Sequence, residues 1–239
     1  MKKICIIDEK ANRAIINSIE ALGFQVIKVP AHPNLSGPCA SHPDLSFCRI
    51  APNTLVYAKK CNEQLVGTLQ QCGLTMIPGE TELQSNYPYD IPYNAVRIGQ
   101  YFLHNLRYTD KVVKKTWQAE GLKEISVKQG YTCCSTAVVR DDLVITADTG
   151  IAEKLEQTGA MTVLRLPPQK QIQLLPMDYG FIGGATGRID GNTFAIAGHV
   201  KYLENGAEIQ AFLQKHGVQL INLTDEKPFD LGTLLFFTL

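Results

Sequence analysis

Ser135-Thr-Ala-Val-Val-Arg-Asp-Asp-Leu-Val-Ile-Thr146 contains two short apolar runs joined by a polar turn, which is the pattern of a β-hairpin. A helical pattern follows from Ile151 to Gly159, and a further apolar run extends from Met161 to Leu166. The stretch therefore predicts a ββαβ unit. One such unit cannot bury its apolar surface alone, so repetition along the chain decides the fold.

The same order of elements recurs in other parts of the chain. One copy extends from Gly187 to Leu223, with Asp190-Gly-Asn192 as a strong hairpin turn. Another extends from Leu45 to Ile77, and a looser copy extends from Ala95 to Val127. Four copies of one unit predict a repeat architecture.

A fifth copy is divided between the two ends of the sequence. Ile4 to Val29 reads as strand, helix and strand, and the lone strand from Thr233 to Leu239 would complete it. Pairing of these two pieces leaves no exposed sheet edge. We therefore predict one domain with an α/β fold, a five-bladed α/β propeller of pseudo-symmetric ββαβ units closed by its terminal strands. The predicted units cover residues 1–30 with 229–239, 42–80, 90–128, 130–167 and 179–224.

Composition and charge narrow the classes of partner. Lys and Arg together number 23, as do Asp and Glu, so the net charge is zero and no long-range field attracts nucleic acid. No apolar stretch approaches the roughly 20 residues that cross a bilayer, and the apolar run within Met1 to Asp8 is too short for a signal peptide. We expect a cytoplasmic protein without nucleic-acid or membrane partners. Seven cysteines without a Cys-x-x-Cys pair predict neither a disulfide framework nor a metal site.

The order of units resembles the pentein, or α/β-propeller, fold of the guanidino-group-modifying enzymes, which include arginine deiminases and dimethylarginine hydrolases. The sequence resembles more closely an uncharacterised bacterial family with this fold. The motifs that carry this resemblance are Lys128-Gln-Gly-Tyr-Thr132, Cys134-Ser135, Ile145-Thr146, Asp148, Gly150-Ile151 and Tyr179-Gly-Phe-Ile-Gly-Gly184. Because the fold also includes a ribosome-binding translation factor without catalysis, the resemblance implies an architecture and leaves the activity open.

The resemblance implies three candidate catalytic residues. Enzymes of this fold use a Cys nucleophile, a His that transfers protons, and carboxylates that grip the guanidinium. His42-Pro-Asp-Leu-Ser-Phe47 is similar to their His-x-Asp-x-x-Phe segment, which makes His42 the candidate acid/base and Asp44 its companion. Cys134, at the head of a unit's first strand and exposed to the channel, is the candidate nucleophile. The alternative interpretation is a capped turn at His42 and inert packing at Cys134.

The candidate substrate clamp departs from the enzyme pattern. Phe181-Ile-Gly-Gly-Ala185 resembles a Phe-Glu-Gly-Gly-Asp segment, but Ile182 and Ala185 stand where its two carboxylates would be. Gly183 and Gly184 remain, either as part of the clamp or because the backbone there is tight. Acids from other units would have to replace the missing pair, with capping of turns or helices as the alternative role of each. The candidates are Asp90, Asp148 and Asp230.

Two further polar residues complete the predicted ligand site. Tyr179 lies in the glycine-rich motif, and Lys128 ends a predicted strand, where it would add polarity to the cavity or lie at a solvated edge. No phosphate-binding loop, dinucleotide fingerprint or Gly-x-Ser-x-Gly elbow occurs, so no cofactor is predicted.

Two functions are compatible with these residues. The first is a Cys-dependent hydrolase that acts on a C–N bond of a small amidine-like or guanidine-like molecule in the central cavity. The second is a non-catalytic module that binds a small molecule or a protein, having lost the clamping carboxylates. The first requires that His42, Asp44 and Cys134 converge in the fold, whereas the missing acids of the Gly-Gly motif favour the second.

Overall fold

The computed structural model describes all 239 residues, which form five sheets of three strands each. The strands are β1 (Lys3–Asp8), β2 (Gln25–Val29), β3 (Phe47–Ala51), β4 (Thr54–Tyr57), β5 (Thr75–Pro78), β6 (Val96–Ile98), β7 (Tyr101–His104), β8 (Lys123–Ser126), β9 (Thr136–Arg140), β10 (Leu143–Thr146), β11 (Thr162–Arg165), β12 (Thr186–Arg188), β13 (Thr193–Ile196), β14 (Gln219–Asn222) and β15 (Leu235–Thr238). The α-helices are α1 (Arg13–Ala21), α2 (Pro43–Ser46), α3 (Glu63–Gln71), α4 (Lys111–Ala119), α5 (Thr132–Ser135), α6 (Thr149–Glu156) and α7 (Gly206–Lys215), with one short 3-10 helix at Val200–Tyr202. None of these helices has the length and apolar character needed to cross a lipid bilayer.

All five sheets, hereafter blades, share one topology. In four of them a hairpin is followed by a helix and by a third strand parallel to the second, as in β9-β10-α6-β11. The remaining blade has the order β15-β1-β2, and β15 pairs antiparallel with β1 so that Lys3 lies opposite Thr238. The predicted α/β fold of five ββαβ units is confirmed, and the terminal strands pair as expected.

The helices between second and third strands start and stop at local signals. Asn12 caps α1 by accepting a hydrogen bond from the Ile15 N–H at 2.9 Å, and Asn62 caps α3 through the Leu65 N–H at 2.9 Å. Gly23 and Gly73, with φ of 85° and 105°, reverse the chain after these helices in a conformation that L-residues with a side chain rarely adopt. The ends of α1 and α3 are therefore set by residues next to each helix, without contacts from other blades.

The first strands of the blades lie against one another around a central cavity of about 450 Å³. Residues from β3, β6, β9, β12 and β15 line it. Trp117 of α4 is fully buried and donates from Nε1 to the Ile50 carbonyl of the preceding blade at 3.0 Å. Arg49 of β3 donates from Nη1 to the Phe236 carbonyl of β15 at 3.1 Å. The blades are therefore joined by packing and by hydrogen bonds between side chain and backbone.

Two blades begin with one helical turn before their first strand. Pro43 starts α2, where its missing N–H costs nothing, and Thr132 starts α5. The expectation that Cys134 stands at the head of a strand is corrected, because it lies in α5, just before β9. Successive side chains on a helical turn diverge by about 100°. This geometry determines which cysteine meets which neighbours.

Candidate active site

Asp44 is the centre of a buried cluster of reactive side chains. Its Oδ2 accepts a hydrogen bond from the Cys134 thiol at 2.9 Å and another from the Thr233 hydroxyl at 2.9 Å. Its Oδ1 is buried without a partner. Ligand atoms of His42, Asp44 and Cys134 all lie within 4.8 Å of one another. The structure thus brings together the three residues that the sequence suggested as a catalytic set.

His42 lies between carboxylates. Its Nε2 is 3.8 Å from Asp8 Oδ2 and its Nδ1 is 3.9 Å from Asp230 Oδ1, distances that allow charge attraction without a hydrogen bond. Both imidazole nitrogens are buried and have no hydrogen-bond partner. Buried polar atoms without partners are uncommon in folded proteins and point to a role beyond stability. The site therefore contains unused donors and acceptors next to a thiol.

Burial and charge act in opposite directions on the pKa values of His42, Asp44 and Asp230, and in the same direction on the pKa of Cys134. Burial lowers the pKa of His42, but Cys39, Asp230 and Asp44 outweigh it and raise that pKa to about 10. Burial raises the pKa values of the Asp44 and Asp230 carboxyls, although the His42 charge counteracts it. Burial and the charges of Asp44 and Asp230 raise the pKa of the Cys134 thiol well above its ordinary value. In the free protein Cys134 is therefore a neutral thiol, and His42 carries the positive charge.

The raised pKa of His42 predicts how stability depends on pH. Because the folded-state pKa of about 10 exceeds the ordinary value of 6.5, the contribution of His42 is complete below 6.5 and is lost as pH rises through about 10. We expect the free energy of unfolding, measured with urea, to fall over this interval in the wild type and to fall less in His42→Gln. The His216→Gln variant, at the end of α7, is the matched control and should follow the wild type. Equal slopes in all three proteins would contradict the assignment.

Asn94 holds α5, the helical turn that carries both adjacent cysteines, in place. Its Oδ1 accepts hydrogen bonds from the N–H groups of Cys133 (2.8 Å) and Cys134 (3.3 Å). Its Nδ2 donates to the Asp44 carbonyl at 3.1 Å and to the Cys134 sulfur at 3.2 Å. One fully buried amide therefore connects three blades and orients the thiol. No sequence pattern marks this residue, since only the fold brings residue 94 next to residues 44 and 134.

Thr233 is held in a conformation that its side chain disfavours. Its φ is 66°, in the left-handed region, which is rare for a β-branched residue and costs about 1–3 kcal/mol. The strained backbone directs the hydroxyl at Asp44 Oδ2 and to within 3.6 Å of the Cys133 sulfur. Strain of this kind is concentrated at functional sites. Thr233 and Asp8 are site residues that the sequence analysis did not single out, although Asp8 carried a signal as the acid that ends a buried strand.

The Gly-Gly motif contributes close backbone packing around the site, and it offers no side chains that could clamp a ligand. A Cβ atom on Gly184 would overlap the Asp230 carboxylate, and one on Gly183 would overlap the Cys133 and Cys134 carbonyls. Ile182 and Ala185 are buried apolar residues, so no acid replaces the missing pair within this motif. Asp230 is instead fixed by the N–H groups of Phe181 (2.8 Å) and Gly232 (3.1 Å). The acids near His42 thus come from outside the Gly-Gly motif.

The two adjacent cysteines face different surroundings, and the expectation that Cys134 is open to the channel is wrong. Cys133 lines the inner end of the central cavity together with Asp44, Gly183 and Thr233, whereas Cys134 is buried behind Asp44. The helical turn of α5 explains this arrangement, because it rotates one side chain toward the cavity and the next away from it. Access to the Cys134 sulfur in the free protein is therefore restricted.

The remaining candidates lie outside this cluster. Asp90 is buried and accepts a short hydrogen bond from the Tyr131 hydroxyl, while its Oδ1 has no partner. Asp148 caps α6 by accepting from the Ile151 N–H at 2.8 Å and also accepts from Gln129 at 3.1 Å. Tyr179 borders a small side pocket with Asp148, and Lys128 is exposed. Of these four candidates, only Asp90 has a buried oxygen without a hydrogen-bond partner, as Asp44 does in the central cluster.

A protein-family model described as a family of unknown function (DUF6873) matches residues 6–235. The chain belongs to the DUF6873 family. No curated protein matches the chain in sequence. This match confirms the prediction that the chain belongs to a family without an assigned reaction.

Solved structures similar to this DUF6873 chain share its fold at low sequence identity. SxtG, an amidinotransferase from Microseira wollei, has a TM-score of 0.53 and 14% identity, over 89% of this chain and 75% of that chain. The inosamine-phosphate amidinotransferase StrB1 from Streptomyces griseus has a TM-score of 0.55 and 11% identity, over 88% and 72%. A dimethylarginine dimethylaminohydrolase from Pseudomonas aeruginosa, a cysteine-to-serine variant in complex with citrulline, has a TM-score of 0.54 and 10% identity, over 95% and 92%. These similarities establish the fold of guanidino-group-modifying enzymes.

The central cluster of the DUF6873 chain also has the donor set of a metal site. An imidazole nitrogen, a carboxylate oxygen and a thiol sulfur within 4.8 Å of one another are ligands that suit a thiophilic divalent ion such as zinc. Binding of such an ion would require loss of the thiol proton that now bonds to Asp44. Chemical tests of Cys134 should therefore be made with a chelator present.

Proposed function

We propose that this protein is a Cys-dependent enzyme that cleaves a C–N bond of a small amidine or guanidine. The observation that carries the proposal is the Asp44 carboxylate, which holds the Cys134 thiol through one oxygen and keeps its other oxygen buried and unpaired. A planar cation with paired N–H groups is the ligand that would satisfy that oxygen. The bound cation would then lie against the Cys134 sulfur.

Charge in the cluster favours a cationic substrate. Asp8, Asp44 and Asp230 are all buried around the single cation His42. Buried carboxylates without enough positive charge are costly, and an amidinium or guanidinium would reduce that cost on entering. The same cation would lower the pKa of the Cys134 thiol, because it offsets the charges that now raise it. Substrate binding would thereby activate its own nucleophile.

The reaction would proceed in two displacements. The Cys134 sulfur forms a bond to the central carbon while Asp44 takes the thiol proton, which it returns to the sulfur at the end of the reaction. His42, already protonated, donates its proton to the departing nitrogen as the C–N bond breaks. The amidino group is then held as a thioester-like adduct. Water adds to that carbon, His42 takes the proton of the water, and the S–C bond breaks to return the thiol. The products are an amine and an amide or urea.

The similar structures support this class of substrate. They are named as amidinotransferases and as a dimethylarginine dimethylaminohydrolase, enzymes that act on guanidino groups. Entry to the site would require the covering chain to move, since His42, Asp44 and Cys134 are each at most 3% exposed. Cys39 and Tyr131 are half-buried neighbours of this cluster, and we expect such an opening to form beside them.

A pair of matched electrophiles tests the proposal. Chloroacetamidine is a cation with the shape of the substrate group, and chloroacetamide is its neutral counterpart. We expect chloroacetamidine to alkylate Cys134 about a hundredfold faster than chloroacetamide at neutral pH, because two charge-assisted hydrogen bonds contribute only to the cation. The other cysteines should show no such preference. Rates for each cysteine are measured by mass spectrometry with a chelator present.

Two variants serve as controls for this measurement. Cys134→Ala should remove the fast-labelled site, and Cys133→Ser should retain it, since Cys133 faces the cavity on the other side of Asp44. Equal, slow labelling of Cys134 by both reagents would refute the amidine site. In that case binding without catalysis, the second function, is tested by whether Cys134→Ala still gains thermal stability from the same small molecules as the wild type.

A further inference from the structure

The central cavity has two chemically different ends. Asp44, Cys133 and Thr233 lie at its inner end, next to the proposed active site. At the opposite end, formed by the hairpin turns of the blades, three arginines line it. They are Arg49 of β3, Arg97 of β6 and Arg188 of β12, and we call this region the arginine end. First strands of three to five residues separate the two ends by about 10–16 Å.

Only two of the three arginines have a carboxylate partner. Arg97 pairs with Glu120 at 2.7 Å, and Arg188 pairs with Asp141 at 2.6 Å. Arg49 has no carboxylate within bonding distance, although it is fixed in place by hydrogen bonds to backbone carbonyls. Its Nε and Nη2 donate to the Pro52 carbonyl at 3.1 Å and 2.7 Å, and its Nη1 donates to the Phe236 carbonyl at 3.1 Å.

This arrangement leaves donors of Arg49 unused. A guanidinium has five N–H groups, and the hydrogen bonds to Pro52 and Phe236 occupy three of them. The guanidinium also stacks on the Phe237 ring at 4.3 Å, which limits its freedom further. Although the side chain reaches solvent, partial burial and the charge of Arg188 lower the pKa of Arg49 to about 10, so it remains a cation at neutral pH. A rigid cation with free donors facing a cavity is a preorganised site for an anion.

We propose that the arginine end binds the anionic head group of a small organic acid, with Arg49 as its main contact and Arg188 as a second. The walls of the cavity beyond the head group are apolar and include Ile50, Val138 and Leu235. A ligand with a carboxylate or phosphate head and a short hydrocarbon body fits both features. This site is separate from the one that holds Cys134 and does not depend on its chemistry.

Titration calorimetry of the full chain tests the site with acetate, hexanoate and inorganic phosphate as probes. We expect one binding event per chain for hexanoate, tighter than for acetate because the hydrocarbon body adds apolar contact. Comparison with phosphate identifies the preferred head group. In Arg49→Gln the affinity of the preferred probe should fall about tenfold or more, because a charge-assisted hydrogen bond is lost.

Two further variants make the result decisive. Arg165→Gln removes an exposed arginine of β11 that pairs with Glu156 of α6 and does not line the cavity, and this variant should bind as the wild type does. Arg188→Gln tests the site if Arg49→Gln does not fold, and it should also weaken binding. Absence of binding of every probe by the wild type, or equal affinity in the wild type and the arginine-end variants, would overturn the proposal. The chloroacetamidine rate at Cys134 should be unchanged in Arg49→Gln.

Discussion

Replacing Asp44 by Asn is expected to leave the fold at least as stable as the wild type while slowing chloroacetamidine labelling of Cys134 about a hundredfold. The carboxylate is buried, and burial raises its pKa, so its charge opposes folding at neutral pH. Asn has nearly the same shape and can still accept hydrogen bonds from Cys134 and Thr233. It cannot offer a negative charge to an amidinium.

The matched control for this variant is Asp148→Ala. Asp148 caps α6, and its loss should cost about 1 kcal/mol of unfolding free energy without changing the labelling of Cys134. Urea denaturation and labelling rates are measured on both variants. A carboxyl whose pKa is raised in the folded state costs stability as pH rises above its unfolded pKa, so Asp44→Asn should gain most over the wild type above about pH 4. A large loss of stability with normal labelling would show that Asp44 has only a structural role.

Replacing Gly184 by Ala should destabilise the fold by about 3 kcal/mol or prevent folding. The added methyl group would overlap the Asp230 carboxylate, which cannot move aside because the N–H groups of Phe181 and Gly232 fix both of its oxygens. The Gly184 carbonyl also accepts hydrogen bonds from the N–H groups of Leu231 and Thr233, so the backbone is held as well. We therefore expect a much lower midpoint of urea unfolding.

Gly67→Ala provides the comparison in the same chain. Gly67 lies within α3, and a methyl group there would meet nothing within 4 Å. Alanine lowers the conformational entropy of the unfolded chain and should stabilise the protein by about 0.5–1 kcal/mol. The two substitutions add the same atoms and are expected to have opposite effects. Similar effects of both would contradict the close packing of the Gly-Gly motif against Asp230.

The architecture could be predicted from the sequence because its signals are local. Asp190-Gly-Asn192 marks a hairpin, and Gly23 and Gly73 mark the ends of helices, each through contacts within a few residues. Repetition of these signals at similar intervals then leads to five blades. The one-turn helices before β3 and β9 were missed, since four residues are too few to show a helical period.

The site was predicted only in part because it depends on contacts between blades. His42, Asp44 and Cys134 were found through motifs, but the role of Asn94 follows from hydrogen bonds to residues 40 and 50 positions away. No local pattern marks a Thr that adopts a positive φ, and the partner of the Thr233 hydroxyl, Asp44, lies 189 residues away in the sequence. The burial of Cys134 depended on a rotation about α5 that sequence alone does not fix.

The blade shared between the two ends has a consequence for synthesis of the protein. β1 leaves the ribosome well before its antiparallel partner β15, which is made more than 220 residues later. Until then the growing chain has His42 without Asp230 and Asp44 without Thr233, so the buried charges lack their final surroundings. Other blades can form their hairpins as they emerge, because those contacts are local. Assembly of the reactive cluster therefore waits until β15 and the loop before it have been synthesised.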